Sequence, residues 1–275
     1  MRAMRLGLLV FAAFVGTTLA SAQGPEAPCT VGVFNMYGYG IGGGKGTTPF
    51  TARIKITFEQ RLPEGNVVRG VAYLLAARDS AGRTRSESGG QCFRGEDGKP
   101  VLDKQINIMD NKERTNLHWQ DGSPYMTEKK ATLTHFNMQP APPRPKPTPE
   151  ELAAMRKAAE ARQPPRSEFK TEDLGLRNIA GVEAHGSRTT RTIPAGEEGN
   201  ELQIVTVDEF WRSDELGLTM LAIRDDPRRG RSVQDVEEVD KEEPVAALFA
   251  PPEGYKVVEI KPQVEVPVNP GTVAQ

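Results

Sequence analysis

The clearest pattern in the chain has a period of two. Ala52, Ile54, Ile56 and Phe58 alternate with Arg53, Lys55, Thr57 and Glu59. Successive side chains of a strand leave opposite faces of its sheet, so this run predicts an antiparallel strand with one apolar and one wet face. Pro63-Glu64-Gly65-Asn66 ends it with residues that favour a turn. Residues 67–77 resume as a strand, and Arg78-Asp79-Ser80-Ala81-Gly82 turns the chain back through Arg83-Thr84-Arg85, so 67–87 reads as a hairpin. Residues 102–109 and 114–119 form a further short pair. Beyond the middle of the chain, 174–179, 182–193, 202–211, 216–224 and 231–239 are strand candidates separated by turn residues. Residues 244–249 fit one helical turn. About nine or ten strands with short connections predict a mainly β fold: a single curved antiparallel sheet, a half-barrel, with one or two covering or linker helices.

The one helix signal is Thr148-Pro149-Glu150-Glu151, which supplies an N-cap, a proline at the first helical position and a capping-box glutamate. The helix should run to about Arg162 and stop before Pro164-Pro165. Its apolar stripe, Leu152, Met155 and Ala159, is narrow, which suits either a cover on the sheet or a solvated spacer.

Composition sharpens this picture. Leu, Ile, Val and Phe number 59 of 275 residues, near the level at which a strongly charged chain stays disordered. The charges nearly balance, however, with 35 Lys+Arg against 37 Asp+Glu. A thin core in a folded chain suits one sheet with one wet face, and disfavours a large packed enzyme or a membrane bundle. Residues 23–48 are Gly-rich, 139–169 form a Pro-rich, partly helical insert, and 261–275 are expected to be a disordered tail. A single β domain is expected over 49–260, interrupted by the insert.

Arg2 and Arg5, the apolar run 6–15 and the small residues Ala20-Ser21-Ala22 read as a secretory signal peptide cleaved after Ala22. The run is well short of the roughly 20 residues a membrane span needs. The expected location is therefore the periplasm or the exterior. Export makes a Cys29–Cys92 disulfide the favoured reading of the two cysteines. Closing a loop of about 60 residues restricts the unfolded chain by around 4 kcal/mol.

Other motifs dissolve on inspection. Gly38-Tyr39-Gly40-Ile41-Gly42-Gly43 matches GxGxxG, but an alternating strand follows it where a dinucleotide site requires a helix. His118, His135 and His185 have no metal-ligand spacing, so neither a metal nor a cofactor is expected. A hydrolase would need a pocket gathering residues such as His185, Ser187 and Asp208, which the pattern gives no reason to expect. Acidic clusters at 208–209, 225–226 and 237–243 read as turn and surface chemistry. Arg188, Arg191, Arg228, Arg229 and Arg231 suit cross-strand pairs better than a nucleic-acid patch in a slightly acidic chain.

Several phrases resemble a family of secreted bacterial proteins to which no activity is assigned. They are Ile179-Ala180-Gly181-Val182-Glu183-Ala184-His185-Gly186, Asp208-Glu209-Phe210-Trp211, Asp226-Pro227-Arg228-Arg229-Gly230 and Leu248-Phe249-Ala250-Pro251-Pro252. More distantly, the order of strands, mid-chain helix and more strands is similar to the lipoprotein-carrier fold, an unclosed β-barrel with an apolar hollow. That resemblance implies a non-enzymatic exported binding protein. Its apolar face, Ile54, Ile56, Phe58 and Trp211 or its strand neighbours, would take a lipid or other apolar ligand. The alternative is an envelope interaction or sensing module whose partner is a protein and whose apolar face is simply core.

Overall fold

The computed structural model describes residues 27–32, 46–136, 147–161 and 167–260. The expected signal peptide, most of the Gly-rich segment and the C-terminal tail lie outside them. The fold is mostly β and consists of one open, curved sheet of twelve strands.

Two meanders build this sheet. The first contains β1 (Phe50–Arg61), β2 (Val67–Arg78), β3 (Thr84–Arg94), β4 (Pro100–Asp110), β5 (Thr115–Asp121) and β6 (Lys130–His135). After α1 (Pro149–Ala161), the second contains β7 (Glu168–Ile179), β8 (Val182–Ile193), β9 (Ile204–Ser213), β10 (Leu218–Asp226) and β11 (Gly230–Asp240). They join where β11 pairs antiparallel with β1, and a strap over 241–255 then delivers β12 (Lys256–Ile260) to β6. The spatial order is β12-β6-β5-β4-β3-β2-β1-β11-β10-β9-β8-β7.

The β12–β6 pair is parallel, so the sheet is mixed rather than wholly antiparallel as expected. A strand arriving by a long strap is not bound to the reversal that a hairpin imposes.

The period of two in β1 carries through the ladders. Ile54 faces Leu74 on β2 and Val236 on β11, and Ile56 faces Ala72 and Gln234. The opposite face carries a second core. Leu75 and Ala77 alternate with Leu74 and Ala76 along β2, and pack with Ile106, Ile108, Trp119 and the strap residues Leu248 and Phe249. The strap covers this half through Arg83, whose guanidinium lies 4.9 Å from the Phe249 ring centroid, and Arg85, whose Nη1 donates to Leu248 O at 2.7 Å.

The two neighbours of β2 meet it unequally. β1 and β2 pair along their whole length, whereas β2 and β3 share only Ala76–Ser86, Ala77–Arg85 and Arg78–Thr84. Beyond those three pairs the strands part, and other groups satisfy the β2 backbone, as burial demands. Leu75 N donates to the Glu87 carboxylate at 3.2 Å, Tyr73 N to Pro28 O at 3.0 Å and Val71 N to Thr30 Oγ1 at 3.0 Å. The disulfide between Cys29 and Cys92 spans this gap, with a Cα–Cα distance of 5.9 Å.

Helix α1 starts on the expected capping box. Glu151 N donates to Thr148 Oγ1 at 3.2 Å, and Thr148 N donates to Glu151 Oε2 at 2.7 Å. Every described side chain of the helix is exposed, including Leu152 and Met155, so it behaves as the spacer rather than the cover.

Candidate functional site

The residues expected to hold an apolar ligand divide between the two faces. Ile54 and Ile56 are each 3% exposed and belong to the main core, against which Phe58 packs half-buried. The row through Ile56 continues across Gln234 and Ala222 to Phe210. The strand neighbour Phe210 thus shares the face of Ile56. Trp211 sits in the row of Lys55, Asp235 and Leu221 on the other face. The two sets still belong to one core cluster, since β10 is buried on both faces from Leu218 to Ala222. A strand over 202–211 was legible in the sequence, but which of its faces met that of Ile56 depended on ladder register.

Trp211 anchors a polar group on the Lys55 face. Its Nε1–H donates to Glu209 Oε1 at 2.8 Å, and Glu209 Oε2 accepts from Arg188 Nε and Nη2 at 2.9 and 2.7 Å. Burial by itself would raise the Glu209 pKa, but the Trp211 and Arg188 donors hold it below the ordinary range. The Arg177 guanidinium lies 5.7 Å from the indole centroid, and a Cβ on Gly186 would come within 2.7 Å of the ring. Glycine at 186 is therefore what lets the indole lie against β8. A groove of about 530 Å³ runs beside this group, lined by Glu172, Arg188, Glu209, Asp225 and Arg231 with Val207 and Ile223. A second, of about 490 Å³, lies where the strap leaves β11, with Leu75, Val245 and Leu248 beside Glu238, Asp240 and Glu242.

The residues weighed for hydrolysis lie on outward strand positions, with His185 and Ser187 exposed. His185 Nε2 lies 2.9 Å from Asp173 Oδ1, but these side chains are 57% and 72% exposed. The Gly175 N–H, with help from His185, keeps Asp173 below the usual carboxylate range. Asp208 is engaged elsewhere, accepting from Arg224 Nε at 2.8 Å. Ser187 stands opposite Asp173 in the ladder. Among the described residues no group of three or more His, Cys, Asp or Glu is placed to hold a metal ion. None of the described helices is long and apolar enough to cross a membrane.

Exposed apolar side chains occupy both ends of the sheet. Edge strand β7 shows Phe169 and Leu176, 62% and 65% exposed, and edge strand β12 shows Val257 and Ile260, 49% and 51% exposed. A bulge at Asp173–Gly175, with Gly175 at φ +71°, interrupts β7. Regular pairing with β8 runs over Glu168–Asp173 before the bulge and over Gly175–Ile179 after it. Sequence reasoning missed both edges: it began β7 at 174 and did not find β12.

No protein-family model and no curated protein matches the chain. Among solved structures the chain is similar to MucB, at 10% identity and a TM-score of 0.29, over 75% of this chain and 58% of that one. It is also similar to a chain of the Pseudomonas aeruginosa MucA/MucB complex, at 12% identity and 0.30, over 78% and 59%. A DUF1329 family protein from Desulfovibrio piger shows 14% identity and 0.18, over 74% and 90%. The chain thus spans less than two thirds of the MucB chains it resembles, and likeness at these TM-scores carries no argument about function.

Proposed function

We propose that the protein is an exported, non-enzymatic interaction module of the cell envelope, which engages an extended segment of a partner protein along β7. The observation that carries this reading is the location of exposed apolar surface. Ile54 and Ile56, expected to line a ligand hollow, are buried, while Phe169 and Leu176 stand out on an edge strand. An edge strand offers unpaired N–H and C=O groups, so an extended segment gains affinity from main-chain bonds and specificity from alternate side chains. The regular runs Glu168–Asp173 and Gly175–Ile179, on either side of the bulge, leave room for a short added strand that passes both Phe169 and Leu176.

Placing a photo-crosslinking phenylalanine analogue at Phe169 in the native host tests this. A discrete protein adduct that disappears with Leu176→Lys is expected. Absence of an adduct, together with lipid co-purifying in native mass spectrometry, would return the protein to the carrier class.

A further inference from the structure

We propose that the gap between β2 and β3 is a strand-acceptor site, which residues 28–32 fill as a built-in plug and the Cys29–Cys92 bond locks. This inference does not depend on the role given to β7.

β2 has a fully paired side toward β1, but toward β3 its ladder ends after Ala76. Upstream of that point a chain segment supplies what a neighbouring strand would. Thr30 N donates to Val71 O at 2.8 Å and Tyr73 N donates to Pro28 O at 3.0 Å, forming an antiparallel bridge centred on Cys29 and Ala72. The same segment reaches the other wall of the gap, where Gly32 N donates to Cys92 O at 3.2 Å. It therefore pairs with both strands that have parted, as an inserted strand does.

Among the described residues nothing else holds the plug as firmly as the disulfide. Its backbone contacts are few, and a single-bridge strand lacks the cooperativity of a ladder. Cys29 and Cys92 are 2% and 1% exposed and join the core cluster of Ile54, Ile56, Ala72 and Leu74. The plug thus closes one margin of the apolar core as well as the backbone of β2. Once the lock is removed, the amides of Val71 and Tyr73 and the carbonyl of Val71 become available. The fitting occupant is an extended peptide running antiparallel to β2 with a small side chain opposite Ala72.

Hydrogen exchange on the full chain carrying Cys29→Ser and Cys92→Ser tests this. The amides of Val71 and Tyr73 should exchange about tenfold faster or more, while those of β10 keep their protection, because opening is local. Adding a synthetic Ala-Pro-Cys-Thr-Val-Gly peptide, the sequence of 27–32, should restore protection at both positions. In the oxidised protein Thr30→Val removes only the acceptor for Val71 N, so Val71 alone should accelerate. Unchanged protection in the double variant would overturn the lock. Uniform acceleration that includes β10 would show a purely global role. Failure of the peptide to restore protection would overturn the acceptor site.

Discussion

Two residues show how local surroundings set the worth of a charge. Arg78 is 5% exposed and its Nη1 has no hydrogen-bond partner; its guanidinium lies 5.4 Å from the Phe50 ring centroid. Burial pushes its pKa down, but a guanidinium stays protonated in a protein and so keeps its desolvation cost. The ring face returns about 0.5–2 kcal/mol of that cost. Arg78→Met should therefore be neutral or raise stability by about 1 kcal/mol in urea unfolding. A large loss would show that the charge has a partner. Asp226 is the opposite case. The Arg228 side chain bonds both its oxygens and, against the effect of burial, holds it below the ordinary carboxylate range. A depressed folded pKa contributes stability above the unfolded value of about 3.9, and this is lost as pH falls through the folded pKa. The stability gap between wild type and Asp226→Asn should be widest near pH 7 and close below about pH 4. A gap independent of pH would refute the assignment.

At the scale of elements, the strap is the part whose sequence says least about its importance. Its 3-10 turn, Ala246–Phe249, seats Phe249 at 5% exposure against the second core. Tyr255 then donates to Gln120 O at 2.8 Å and lies near Asp121, and its hydroxyl pKa is pushed up to about 12 by burial and that carboxylate. Lys256 N donates to Lys129 O at 2.8 Å, which sets the parallel register of β12. Phe249→Ala should cost about 3–5 kcal/mol, and amides of β12 should lose protection before those of β1. Equal loss in both strands would count against the strap as the determinant of β12. The 244–249 turn was readable from Pro244 and Pro251-Pro252. β6 and β12 were not, because each is short and depends on the other, across 120 residues of chain. β3 was read only to 87, because Gly89 and Gly90 carry no side chains to extend its pattern.

For the whole molecule, the disulfide and the strap serve one end. Both tie β3–β6 to the larger set of strands, with which their shared ladder is three residue pairs of β2 and β3. Removing the disulfide should lower the stability of the β3–β6 part by about 2–5 kcal/mol while leaving that of β7–β11 unchanged. Unfolding followed by Trp fluorescence should also broaden, since Trp119 lies in the second core and Trp211 in the first. A single sharp transition would show that the two parts remain one cooperative unit.

The sequence by itself determined what local rules can reach. The alternation at 52–59 is side-chain geometry along one strand, the capping box at 148–151 is a bond between near neighbours, and the Cys29–Cys92 pair had no other candidate. Only the tertiary structure decided which faces met. Trp211 went to the Lys55 face, β11 closed on β1, and β12 arrived parallel, because ladder register and strap length couple residues far apart in the chain. The same register buried Ile54 and Ile56 and left Phe169 and Leu176 exposed on the edge strand. A period of two makes a face apolar, but only what packs against that face decides whether it is a site or a core.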